Sequence, residues 1–169
     1  MGDDVPFYYS ERANIGVLAG AAWVAGWVAL EEFGAKKRGK ERGRSDLYIF
    51  PKEKENGEYI EVKHLWIGIT LNEQKMVDII ERAIDKSVKD ARELIIKKDE
   101  AAIKIGVTFI CPFVHKRFKS EMDLHIHKFI QTVSEISCNS FAYIFPDEAR
   151  ELMIGTYIYP GVALLARAM

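Results

Sequence analysis

The chain has 169 residues, 49% of them hydrophobic and 29% charged, with 24 Lys plus Arg against 25 Asp plus Glu. Its length suits one domain, and its mix is that of a globular protein, which excludes intrinsic disorder. The balanced charge points to no polyanion at the level of the whole chain, so only local charge can indicate a nucleic-acid partner. Cys111 and Cys138 form no Cys-x-x-Cys pair, so neither a zinc ribbon nor a disulfide scaffold is expected, and a reducing, cytoplasmic setting is.

Residues 13–30 carry no charge. As one helix they would span about 27 Å, close to a bilayer core, and the basic run that follows would suit a cytoplasmic flank. A single-pass anchor at 13–30 is therefore the membrane alternative. Against it, six of these 18 residues are Ala and three are Gly, and Glu31 and Glu32 follow without an apolar margin. Asp3 and Asp4 stand where a signal peptide would carry positive charge. The preferred reading is a buried helix over about Pro6 to Val24, a break at Gly26 and a strand from Trp27 to Phe33. Gly34 to Gly43 reads as a basic loop, Ser45 to Phe50 as a strand, Asn56-Gly57 as a hairpin turn and Tyr59 to Ile67 as a third strand.

Next, Met76, Ile80, Ile84, Val88, Ala91 and Ile95 recur at helical spacing. Asn72 is the expected N-cap, with Glu73 in the first turn and Lys97 and Lys98 in the last. Ile103, Ile105, Val107 and Phe109 alternate as a strand. Ser120 is expected to cap a second amphipathic helix carrying Met122, Ile126, Phe129, Ile130, Val133 and Ile136. Ser140 to Phe145 and about Tyr157 to Ala166 read as strands. The order αβββαβ, then αββ, predicts an α/β (α+β) fold with a mixed central sheet flanked by helices. No linker divides the chain, so 1–169 is expected to be one domain, with a core over about 6–110 and an extension over about 111–169.

Side chains alternate along a strand, so Glu61 and Lys63 share one face and Ile60 and Val62 the other. If the preceding strand pairs through the Asn56-Gly57 turn, Asp46 arrives on the side of Glu61 and Lys63. Two carboxylates and an ammonium then meet at one end of a sheet. Such a set suits a hard divalent cation such as Mg²⁺ or Mn²⁺, which takes few carboxylates and leaves room for a phosphate oxygen. Lys63 would hold the scissile phosphate or position the attacking water.

Gly43-Arg44-Ser45-Asp46-Leu47 and Tyr59-Ile60-Glu61-Val62-Lys63, with 15 positions between the acids, resemble the motif of the PD-(D/E)XK nuclease superfamily, which includes restriction endonucleases and Holliday-junction resolvases. The resemblance covers about residues 6–110 and implies a restriction-endonuclease-like αβββαβ core. It implies Asp46 and Glu61 as metal ligands, the Val62 carbonyl as a third, and Lys63 as the catalytic lysine. A further glutamate on the first helix would be Glu11. On the strand before the aspartate it would be Glu32 or Glu31, whose side chains point to opposite faces.

Lys36, Lys37, Arg38, Lys40, Arg42 and Arg44 stand against one acid, Glu41, just before Asp46. They read either as a solvated hairpin or as a clamp on a phosphate backbone. His125 and His127 lie on different faces of their helix, and His64 faces away from Lys63. The expected function is a metal-dependent nuclease acting on DNA, as a homodimer by analogy. The alternative is a catalytically inactive nuclease-like fold kept as a binding or assembly module.

Overall fold

The computed structural model describes residues 5–53, 57–96 and 102–169, with residues 40–42 described by their backbone alone. The expected Asn56-Gly57 turn, in part, and the helix-end lysines Lys97 and Lys98 lie outside the described residues. The protein is an α+β fold in which a mixed sheet is flanked by helices.

Helix α1 (Pro6–Tyr9) and α2 (Glu11–Val24) replace the single expected helix. The chain turns extended at Ser10, whose hydroxyl accepts the Ala13 N–H at 3.3 Å and caps α2. Gly26, at φ +84°, makes the turn into β1 (Trp27–Lys37). No helix among the described residues is long and apolar enough to cross a membrane. The expected basic loop is instead the end of a hairpin. β1 runs on to Lys37, the turn is at Arg38 and Gly39, and β2 (Lys40–Pro51) starts at once. Pairing continues through Gly34–Arg44 and Ala35–Gly43, so backbone bonding overrode the glycines that had suggested a loop.

β3 (Gly57–Gly68) pairs with β2 only from Leu47–Ile60 to Ile49–Glu58. Its other edge runs parallel to β5 (Ala102–His115) from Gly57–Ala102 to Gly68–Phe113. The crossover is α3 (Glu73–Glu93), capped by Asn72 as expected, and β4 (Leu94–Ile95) pairs back to Lys37 and Lys36 of β1. After β5 come a 3₁₀ segment, Lys116–Glu121, capped by His115 rather than started by Ser120, and then α4 (Met122–Ser134). β6 (Ser140–Ile144), β7 (Met153–Ile154), β8 (Tyr157–Ile158) and β9 (Val162–Ala168) complete the chain. The last expected strand is thus two, separated at Tyr159-Pro160-Gly161. The strand order is β4-β1-β2-β3-β5-β9-β6, with β8 and β7 continuing on the far end of β5.

Both faces of the sheet are covered, which a parallel pair with its crossover helix requires. On one face Ile60, Val62, Val107 and Phe109 pack with Leu47 of β2 and with Ile15 and Ala19 of α2. On the other, Ile67 and Ile110 pack with Met76, Ile80, Ile84 and Val88 of α3 and with Ile126, Phe129 and Val133 of α4. α3 lies unusually close to β5 because residue 106 is glycine: a Cβ there would fall 2.5 Å from the Val88 nitrogen. Gly106 is the register partner of Glu61, so this approach sets the roof over the acid and lysine of β3.

Candidate active site

The fork where β2 leaves β3 organises the site. Ser45, fully buried, places its hydroxyl 2.9 Å from the Leu47 carbonyl and 3.0 Å from that of Ile60, holding the two strands together at the last paired residues. Beyond this point no strand among the described residues lies along the β3 edge facing β2, and its polar groups need other partners. Asp46 supplies one: its Oδ2 accepts the Val62 N–H at 2.8 Å. Glu11, at the start of α2, accepts from the backbone of His64, the next N–H on that edge. Lys63 supplies the third, donating from Nζ to the Val62 carbonyl at 2.8 Å.

Lys63 is also ion-paired. Its Nζ lies 3.1 Å from Asp90 Oδ2 and 3.9 Å from Glu11 Oε1. Burial pushes the ammonium toward losing its proton, but the Asp90 hydrogen bond and the charges of Glu11, Asp90 and Asp46 outweigh it, so the pKa stands above the usual lysine value. Lys63 is therefore a fixed cation at neutral pH and not a proton acceptor. Glu11 shifts upward too, from burial first and the neighbouring Asp46 charge, partly offset by Lys63.

Glu61 is 2% exposed. Lys37 Nζ approaches to 2.9 Å of both carboxylate oxygens but donates a hydrogen bond to Oε2 alone; Oε1 has none. Burial dominates the electrostatics, and Asp46 adds to it, so the Glu61 pKa is raised to about 7 despite Lys37. The sequence placed Glu61 and Lys63 on one face of a strand. It did not indicate that α3 roofs that face.

Of the expected site residues, Asp46, Glu61, Lys63 and Glu11 converge. Glu32 is not brought in. It sits at φ +50° in β1, exposed, with Arg44 Nη1 at 3.2 Å from its carboxylate. This backbone kink turns it outward as a surface pair. Glu31 is exposed. Lys36, Arg38 and Arg44 face solvent on the hairpin; Lys37 faces inward; the side chains of Lys40 and Arg42 lie outside the described residues. Two members of the cluster were missed. Asp90 lies three residues past the buried Ser87, on the same helix row, and that spacing was the available signal. Lys37 would have been found by carrying strand alternation past Ala35. His64 points away from Lys63: Nε2 is 3.1 Å from the Phe7 carbonyl and 2.9 Å from Cys111 Sγ, and burial lowers its pKa. The Cys111 thiol, buried and pushed up to about 12, is no nucleophile.

Among the described residues no three His, Cys, Asp or Glu groups already surround one point as a metal cage. The donors still fit Mg²⁺ or Mn²⁺ in type, being carboxylate oxygens and a backbone carbonyl. In charge, four carboxylates (Glu11, Asp46, Glu61 and Asp90) face three ammonium groups (Lys37, Lys63 and, toward Glu11, Lys86), which leaves one negative charge over. Glu61 Oε1 is buried with the Lys37 ammonium 2.9 Å away and no hydrogen bond. No family model, no curated protein and no solved structure matches the chain.

Proposed function

We propose that the protein is a metal-dependent nuclease of the PD-(D/E)XK type, with a restriction-endonuclease-like core, hydrolysing phosphodiester bonds in DNA. The observation that carries this reading is the convergence of Glu11, Asp46 and Lys63 on the free edge of β3, with Glu61 beside them. Asp46, Glu61 and the Val62 carbonyl would hold the ion, with Glu11 adjoining. When bound, the ion supplies Lewis acidity toward the phosphate and toward water.

The chain's own residues do the rest. Lys63 stays protonated beside Asp90 and holds a non-bridging phosphate oxygen as negative charge grows there. Asp90 is its positioning residue. Lys36, Arg38 and Arg44, exposed on the hairpin, hold the backbone without reading sequence. Two free thiols suit the cytoplasm.

The test is cutting of plasmid and linear DNA, with an RNA arm, in Mg²⁺ or Mn²⁺ beside an Asp46→Ala control. Metal-dependent cutting that the control loses supports the reading, and paired cuts in both strands support a homodimer. Cutting that persists in the control, or no cutting at all, overturns it. A second reading rests on Lys37: its ammonium already neutralises Glu61, as suits an inactive nuclease-like fold kept for binding or assembly. A wild-type chain that neither cuts nor binds metal favours that reading.

A further inference from the structure

Lys37 differs from its neighbours on the hairpin. Lys36 lies on the outer side of the strand and Arg38 in the turn, both exposed, while alternation turns Lys37 under the hairpin toward β3. Its backbone is fixed from both sides. It pairs with Leu94 of β4, and the next residue, Arg38, donates its N–H to the Glu93 carbonyl at 2.8 Å. The side chain is less constrained. It has 16% of its surface open to solvent, against 3% for the Glu61 side chain it serves. The lysine side chain thus reaches solvent in part, and the carboxylate does not.

The contact is a charge neutralisation rather than a fitted pair. One ammonium sits 2.9 Å from both oxygens and hydrogen-bonds only one. An arginine could have met both oxygens through its planar fork; a lysine is a compact point charge on a flexible stem. Its place next to a buried acid, with Asp46 and the Val62 carbonyl adjoining, is the place a small cation would take.

We propose that Lys37 is a resident counter-ion, which holds Glu61 in the metal-free chain and surrenders it when a divalent cation binds beside Asp46. The inference rests on the metal-site reading above. Glu61 then exchanges one cation for another and is at no stage buried and unpaired. The released ammonium joins Lys36, Arg38 and Arg44 on the same hairpin, where a backbone phosphate is the anion within reach. Metal and nucleic acid thus favour each other's binding through a single side chain, since each stabilises one half of the exchanged pair.

The test is calorimetric titration of Mn²⁺ into the full-length chain without nucleic acid, after circular dichroism has confirmed that each variant is folded. Lys37→Met removes the competitor and should bind Mn²⁺ about tenfold more tightly than wild type, because the ion no longer breaks a buried pair. Lys37→Arg, which keeps the charge and grips both oxygens, should bind more weakly than wild type. The gain should vanish when Glu61→Gln is added to Lys37→Met. Where Lys37→Met does not fold, the comparison of Lys37→Arg with wild type decides. Equal affinities across the series, a gain that survives Glu61→Gln, or no Mn²⁺ binding by any variant overturns the inference. The nuclease reading fails separately: a chain that shows this ordering but cuts no DNA keeps the counter-ion and loses the enzyme.

Discussion

Two ion-pair networks tie α3 to the sheet, and they are built differently. At the outer one, Arg167 of β9 reaches Glu81 at 2.8 Å and Asp85 at 2.9 Å, and donates to the Ser137 carbonyl at 2.7 Å. Asp85 is 69% exposed, water shares the charge, and the arginine's donors are used. At the inner one, Glu61 is sealed under α3 with a single-bonded lysine, and Asp46, Lys37 and Lys63 are the charges that act on it. A surface network can be unbalanced at little cost, because solvent screens it. A buried one cannot, and a carboxylate kept there carries a desolvation cost that its partner only partly offsets.

The comparison breaks most visibly at Asp46. On the proposed function, Asp46→Ala lowers metal-dependent cleavage about a thousandfold, while Arg167→Ala leaves the rate unchanged; a nicking assay on both variants reads this. Stability is the next lever. Lys37→Met strands a buried carboxylate and should cost about 3 kcal/mol at mildly alkaline pH, measured by urea unfolding. The cost shrinks in mild acid, where Glu61 takes up a proton.

A pH series sharpens the contrast further. The Glu61 pKa is raised from 4.5 to about 7 on folding, so between those values the folded state holds a proton that the unfolded state has lost. Stability from this group is therefore full below about 4.5 and falls as pH rises toward about 7. The Tm of Glu61→Gln should accordingly gain on wild type across that window and run parallel to it above. Lys37, Lys63 and Asp46 are the charged groups that face Glu61. The smallest effect belongs to Arg167→Ala, about 1 kcal/mol or less and declining with added salt.

The order of elements was legible in the sequence because it rests on apolar spacing. Met76, Ile80, Ile84, Val88 and Ala91 line the buried face of α3, and Val107 and Phe109 the α2 side of β5. The breaks were less legible. Ser10 divides the first helix through a side-chain cap, and Gly34 to Gly43 is a hairpin end whose glycines are taken into the ladder despite a register shift between Ala35 and Lys37. Of the site, Asp46, Glu61 and Lys63 were readable because strand alternation fixes their side. Glu11, Asp90 and Lys37 depend on how two helices and a hairpin end meet β3. Glu11 was found through family resemblance. The inward turn of Lys37 was not found because the expected strand stopped at Phe33, and the part of Asp90 was not found because alternation carries no information about what roofs a strand.

Gly106 touches none of the charged groups with a side chain, since it has none, yet it decides where they stand. The backbone of Ser87 and Val88 rests against it, and Asp90 hangs from the same helix one turn on. A single methyl at position 106 would lift α3 away from β5, carrying Asp90 off Lys63 and opening the roof over Glu61 to water. The charged cluster is thus tunable from a position that no survey of polar residues would select, and on the proposed function Gly106→Ala lowers cleavage while every charged group of the cluster remains in the sequence.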